Sequence, residues 1–197
     1  MSLERIRALV ERFRRVIADG GASGPAVNGW QFDTAIGLEL LESMLLARHL
    51  DVAAHELRAS GHGHYTICSS GHEANAVLGR LTTPDDSALL HYRSAALCLE
   101  RARQVPEVDA VRDIALSLVA ARDEPASGGR HKVFGNRRLG IIPQTSTIAS
   151  HLPRAVGLAF ALERKARLGL LPAIGSLAEP GSHTRRSPIV ICSFGDA

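Results

Sequence analysis

Four short segments hold the residues whose types and spacing can do chemistry. Ser69-Ser70-Gly71-His72-Glu73-Ala74 reads as a turn leading from a strand into a helix. His91-Tyr92-Arg93 follows a short apolar run, which places an imidazole, a phenol and a guanidinium at a strand end. Pro143-Gln144-Thr145-Ser146-Thr147-Ile148-Ala149-Ser150 is a hydroxyl-rich loop ahead of a helix. Gly195-Asp196-Ala197 closes an apolar run with a carboxylate in a turn of small residues. A guanidinium gives forked, charge-assisted hydrogen bonds to anionic oxygens. A turn carboxylate is the hard oxygen ligand that magnesium prefers, commonly shared with phosphate oxygens. Each segment alone has a plain reading as well: a structural ion pair, a helix-capping loop, a turn aspartate, a hydrogen-bonded histidine at a strand end.

The remaining histidines carry less. His62 and His64 form H-x-H, while His131 and His151 lie elsewhere, and zinc needs a third ligand at compatible spacing. Cys68, Cys98 and Cys192 are far apart with no C-x-x-C, which reads as free thiols in a reducing, cytoplasmic compartment.

The elements that must position these groups follow from periodicity. Leu3, Ile6, Val10, Phe13 and Ile17 form one stripe of an amphipathic helix, ended by Asp19-Gly20-Gly21. Residues 22–31 read as an irregular arm. Asp33 is the expected N-cap of a helix to about residue 59, with Ile36, Leu40, Leu41, Met44 and Leu45 on its buried side. Residues 65–68 suit a strand, residues 71–78 a helix, and residues 87–90 a second strand. A helix is expected from Pro106 to about residue 122, with Val111, Ile114, Ala115 and Leu118 as its stripe. Residues 125–139, with three glycines and five basic residues, read as a loop. Pro153 starts a helix to about residue 168, and residues 171–187 read as a surface connection. The apolar run 189–194 predicts a central parallel strand buried on both faces. Helices alternating with short strands predict an α/β fold, a parallel sheet flanked by helices. The division expected is an N-terminal helix and arm over 1–32 and the α/β domain over 33–197. A strand that finishes at the terminus, where ligands of such sheets bind, predicts a domain incomplete at its C-terminus.

Composition narrows the function. The 197 residues are 45% hydrophobic and 22% charged, as in globular proteins. No apolar run approaches the roughly 18 residues of a membrane span, and the N-terminus has no apolar core of a secretory signal. The net charge of +3 is spread along the chain as arginine, and aromatics are only 4%, too few for a base-stacking platform. A solvated arginine surface explains the charge better than nucleic-acid binding.

Taken in order, the four segments resemble the α chain of the thiamine-diphosphate-dependent decarboxylating dehydrogenase of 2-oxo acid dehydrogenase complexes, of the pyruvate and branched-chain types. The matching motifs are GHEA at 71–74, YR at 92–93, STIASHLPRAVG at 146–157 and GDA at 195–197. The third motif is the most specific. The metal motif ends in Ala where Gly is commoner, and it stays small.

The resemblance implies a thiamine-diphosphate-binding fold, with thiamine diphosphate and Mg2+ as cofactors. It implies that Tyr92 and Arg93 hold the diphosphate, that Asp196 is the metal ligand, and that backbone N–H groups at Gly195 and Ala197 face phosphate. It gives Ser146 and Ile148 to the aminopyrimidine, with Ile148 bending the cofactor. His91 and Tyr65 fall at positions near the substrate side, and His131 beside the glycine-rich stretch at the active-site entrance. The implied partners are a β-type chain or domain that supplies an activating glutamate, and a lipoyl-bearing acyltransferase, in a two-fold assembly (α2β2 or a fused dimer). An acetoin dehydrogenase shares the same motifs, and a non-catalytic assembly module could keep the fold. Because the activating glutamate comes from elsewhere, the 197-residue chain alone is expected to show no 2-oxo acid decarboxylation with cofactor and magnesium. A carbon dioxide release assay on the purified chain checks this.

Overall fold

A computed structural model describes residues 3–19, 33–64, 67–145, 147–171 and 187–194. Six α-helices and four strands fall within them: α1 (Leu3–Ala18), α2 (Thr34–Ala59), α3 (Ala76–Leu81), β1 (Ser87–Leu89), α4 (Ala95–Ala102), α5 (Ala110–Leu118), β2 (Phe134–Asn136), β3 (Ile141–Gln144), α6 (Leu152–Arg167) and β4 (Val190–Cys192). The sheet order is β2-β3-β1-β4. β1 pairs in parallel with both β3 and β4, and β2 pairs antiparallel with β3. The chain is therefore α/β, but its small sheet is mixed rather than wholly parallel.

Asp33 caps α2 as its sequence position dictates, accepting the N–H groups of Ala35 at 2.9 Å and Ile36 at 3.3 Å. Such a cap contributes about 1 kcal/mol. The buried phase of α2 differs from the expected one. Ser43, Ala47, Asp51 and Ala54 face inward, while Ile36, Leu41 and Leu45 are exposed. The inward polar groups have partners that stabilise them there. Ser43 donates to Glu100 at 2.6 Å, and Asp51 accepts the Ser69 N–H at 2.7 Å. Glu100 also pairs with Arg80 at 2.8 Å and Arg103 at 3.3 Å, so its buried charge is compensated.

Helix α4 was absent from the sequence expectation. Every residue of it is buried, so it has no polar face and no stripe to betray it. It lies so close to α3 that a Cβ on Gly79 would come within 2.6 Å of the Leu97 carbonyl oxygen. Helix α5 is shorter than expected: Asp109, not Pro106, caps it through the Arg112 N–H at 2.9 Å, and it ends at Leu118. Val111, placed on its stripe, is exposed.

The segment expected as a loop over 125–139 contains β2 and a 3-10 turn (Arg137–Leu139), which Asn136 caps. Gly140 then takes φ +65°, where an added Cβ would meet the Pro84 carbonyl oxygen at 2.1 Å. Strand β4 is half-buried and borders β1 alone among the described residues, so it is an edge strand rather than a central one. Ile67 and Cys68 form no strand; Tyr65 and Thr66 of that expected strand, the apolar stripe of α1, the arm over 22–31 and the connection over 172–186 lie outside what is described. Among the described residues no helix is long and apolar enough to cross a membrane.

Two buried groups lock the sheet. Asp86, fully buried, accepts the N–H of Thr83 at 2.8 Å and of Ile189 at 2.9 Å, which pins the entry of β4 to the start of β1. Arg101, also fully buried and an exception to the solvated arginines, donates to the carbonyls of Asp86 at 3.1 Å and Leu139 at 3.2 Å and to the Thr82 hydroxyl. Truncation would strand these acceptors away from water. Arg101→Ala is expected to lower the unfolding free energy by about 3 kcal/mol. The measurement is a urea melt, with the midpoint moving at unchanged slope.

Candidate functional site at the strand ends

β1 runs directly into His91-Tyr92-Arg93, and β4 runs beside it in register, Leu89 opposite Cys192. Ser193, the next residue, donates its N–H to the Leu89 carbonyl at 3.0 Å. The ends of the two strands are thus held together, as ligand sites of parallel sheets require.

His91 is buried. Its Nδ1 accepts the Arg93 N–H at 3.0 Å, which leaves the proton of the neutral ring on Nε2. That Nε2 is buried with no hydrogen-bond partner. The rings of His72 and His91 meet nearly perpendicular, with centroids 4.9 Å apart. Burial, then the charges of His72, Arg93 and His151, bring the His91 pKa down to about 4. At neutral pH it is an uncharged N–H donor.

His151, the residue after the hydroxyl-rich loop, is almost completely buried. Its Nε2 donates to the Ser193 carbonyl at 2.9 Å, and its Nδ1 is buried without a partner. Gln144, at the end of β3, donates to the Ser150 hydroxyl at 2.9 Å and accepts from Arg154 at 3.0 Å. Within the loop Ala149 holds φ +58°, a left-handed conformation costly for alanine, and Ile148 is 50% exposed.

Tyr92 packs against the core, and the Arg93 guanidinium sits 5.5 Å from its ring centroid. Arg93 also donates to the Cys68 carbonyl, and Lys132 donates to the neighbouring Ile67 carbonyl. Lys132 is buried in a left-handed conformation, φ +52°. Burial holds its ammonium below the ordinary value, with Asp51 and Cys68 opposing that shift and Arg93 adding to it. Arg48 binds the Ser70 hydroxyl and pairs with Glu73 at 3.3 Å, and Glu73 accepts the Gly71 N–H at 2.8 Å. The GHEA turn is thereby fastened to α2.

The structure therefore gathers His91, Tyr92 and Arg93 with His72 and, through Ser193, with the loop that carries Ile148. His131 stands in a separate group with His64, ring centroids 5.4 Å apart, and its buried Nε2 has no partner. Burial lowers the His131 pKa, aided by Lys132 and His64. Tyr65, Ser146, Gly195, Asp196 and Ala197 lie outside the described residues. Among the described residues no three His, Cys, Asp or Glu side chains are grouped to hold a metal ion. Sequence reasoning missed Lys132 and Asp51, and it gave His72 and His151 no role of their own. For Asp51 a signal existed, a carboxylate in step with Ala47 and Ala54, legible only in the correct helical phase.

No family model matches the chain. It is 30% identical over 135 residues to the 2-oxoisovalerate dehydrogenase subunit alpha of Bacillus subtilis (strain 168), covering 65% of this chain. The matched region spans 39% of that relative's length. The similarity supports a relationship to the α subunits of 2-oxo acid dehydrogenases.

The depressed His91 pKa has a sign. Between its folded value of about 4 and the unfolded 6.5, the unfolded chain binds the proton and the folded one does not. The stability that depends on a neutral His91 is complete above about pH 6.5 and is lost as the pH falls toward about 4. Up to about 2 kcal/mol is expected to disappear by about pH 5 through this group. Urea melts of wild type and His91→Asn across this range measure it, the variant showing the shallower pH slope.

Proposed function

We propose that this chain is the α-type region of a 2-oxo acid dehydrogenase, and that it binds thiamine diphosphate and Mg2+ at the strand ends. The observation that carries the reading is the linkage of Arg93 and the serine loop through the ends of β1 and β4. β1 delivers the first, and His151 ties the second to the exit of its neighbour β4.

The donor chemistry fits an anionic ligand. Arg93 has five N–H groups, and its hold on the Cys68 carbonyl keeps the guanidinium at the strand end. Arg93 and the Tyr92 hydroxyl would hold the diphosphate oxygens, the Asp196 carboxylate would take the metal, and backbone N–H groups of Gly195 and Ala197 would serve the phosphate. Ser146 and Ile148 receive the aminopyrimidine, for which the exposed Ile148 side chain offers an apolar support. When bound, thiamine diphosphate supplies the nucleophilic carbon and the electron sink for decarboxylation. His91 gives a neutral N–H to a substrate oxygen from its unpartnered Nε2. The same reading assigns Tyr65 to the substrate side of the cofactor and His131 to the stretch beside the active-site entrance.

The partners follow from the same reading: a β-type chain or domain bringing the activating glutamate, and a lipoyl-bearing acyltransferase that accepts the acyl unit, in a two-fold assembly. Uncovered apolar surface supports a partner chain. Leu38, Leu81, Val156 and Phe160 are each more than 60% exposed. A cytoplasmic setting agrees with three free thiols.

Arg93→Ala, in the chain assembled with its β partner, is expected to weaken thiamine diphosphate about 10- to 100-fold, the worth of a charge-assisted hydrogen bond. Calorimetric titration in magnesium checks it. Wild-type protein that takes up no thiamine diphosphate ends the reading.

A further inference from the structure

We infer that His151 is a positioning residue, coupling the 145–151 loop to the exit of β4 and so fixing where the chain toward Asp196 departs. The inference rests on the reading above and adds a residue to it.

β4 is three residues long and paired on one side among the described residues. Strand pairing alone holds so short an edge poorly, since few ladder hydrogen bonds resist fraying. Two groups complete the hold. Asp86 fixes the entry through the Ile189 N–H, and His151 fixes the exit through the Ser193 carbonyl. Because Ser193 also donates to the Leu89 carbonyl, one imidazole connects the loop, the exit of β4 and the end of β1. Gln144 ties the same loop to β3 through Ser150 and Arg154. All three parallel strands thus report to one ten-residue stretch, 145–154.

The ring itself argues for a specific role. His151 is 1% exposed, yet its Nδ1 is left without a partner in a buried place. A packing residue there would be apolar, because an unsatisfied buried nitrogen is costly. Ala149 accepts left-handed strain two residues earlier, in the turn that leads into His151. The loop is bent to deliver a donor, and the donor's target is a main-chain carbonyl three residues before Asp196.

The test uses the chain assembled with its β partner and two variants. His151→Gln keeps an N–H donor of comparable reach; His151→Leu fills the space without one. Hydrogen exchange of the cofactor-free protein reads the coupling directly. His151→Leu is expected to speed exchange at the Ser193 amide about tenfold, the loss of one hydrogen bond. In ligand titrations the same variant weakens magnesium-dependent thiamine diphosphate binding about tenfold, while metal-free binding of inorganic pyrophosphate stays as in wild type. A general loss of structure would weaken both. His151→Gln restores both readouts. Unchanged exchange in His151→Leu, or damage by Gln equal to that by Leu, overturns the inference. If wild type binds no thiamine diphosphate, the proposed function falls, and the exchange experiment alone decides the coupling.

Discussion

The carboxylate of Asp86 is the constraint on which the rest depends. It is fully buried, and its hydrogen bonds join the loop before β1 to the residue that opens β4. Without that tie, two strands of three residues each would have little reason to lie side by side, one hundred residues apart in sequence. With it, their carboxyl ends emerge together. Arg101 supports the same corner from α4 by holding the carbonyls of Asp86 and Leu139. The buried polar groups at the base of the sheet thus align its strands.

At the top, the groups that can do chemistry are held by hydrogen bonds to main-chain atoms. Arg93 and Lys132 grip consecutive carbonyls, and His91 and His151 each bond the backbone through one ring nitrogen. The carbonyls of Ile67 and Cys68 are therefore the scaffold for both cations.

Sequence carried the local signals well and the tertiary ones poorly. The Asp33 cap, helix α2 and the run at β1 were legible because each is decided by neighbours in the chain. Helix α4 was not, since a helix buried on every side has no periodic contrast. Phe134-Gly135-Asn136 and Ile141-Ile142-Pro143-Gln144 look like loop because glycine, asparagine and proline disfavour strands, yet pairing with each other and with β1 overrides that preference. The apolar run at β4 suggested a central strand, but its position was set by Asp86 and by the sheet order, which no local pattern encodes. In the candidate site, His91-Tyr92-Arg93 was legible by type and location. His151 was not, because its meaning lies in Ser193, forty-two residues away.

The uncovered side chains of α2, α3 and α6 carry a thermodynamic consequence. A surface that stays wet in the lone chain contributes nothing to folding until another body covers it. A partner that covered it would bind the native form and not the unfolded one, so mass action would make thermal tolerance depend on that partner's concentration. A shortage of such a partner would then register first as a loss of folded chain.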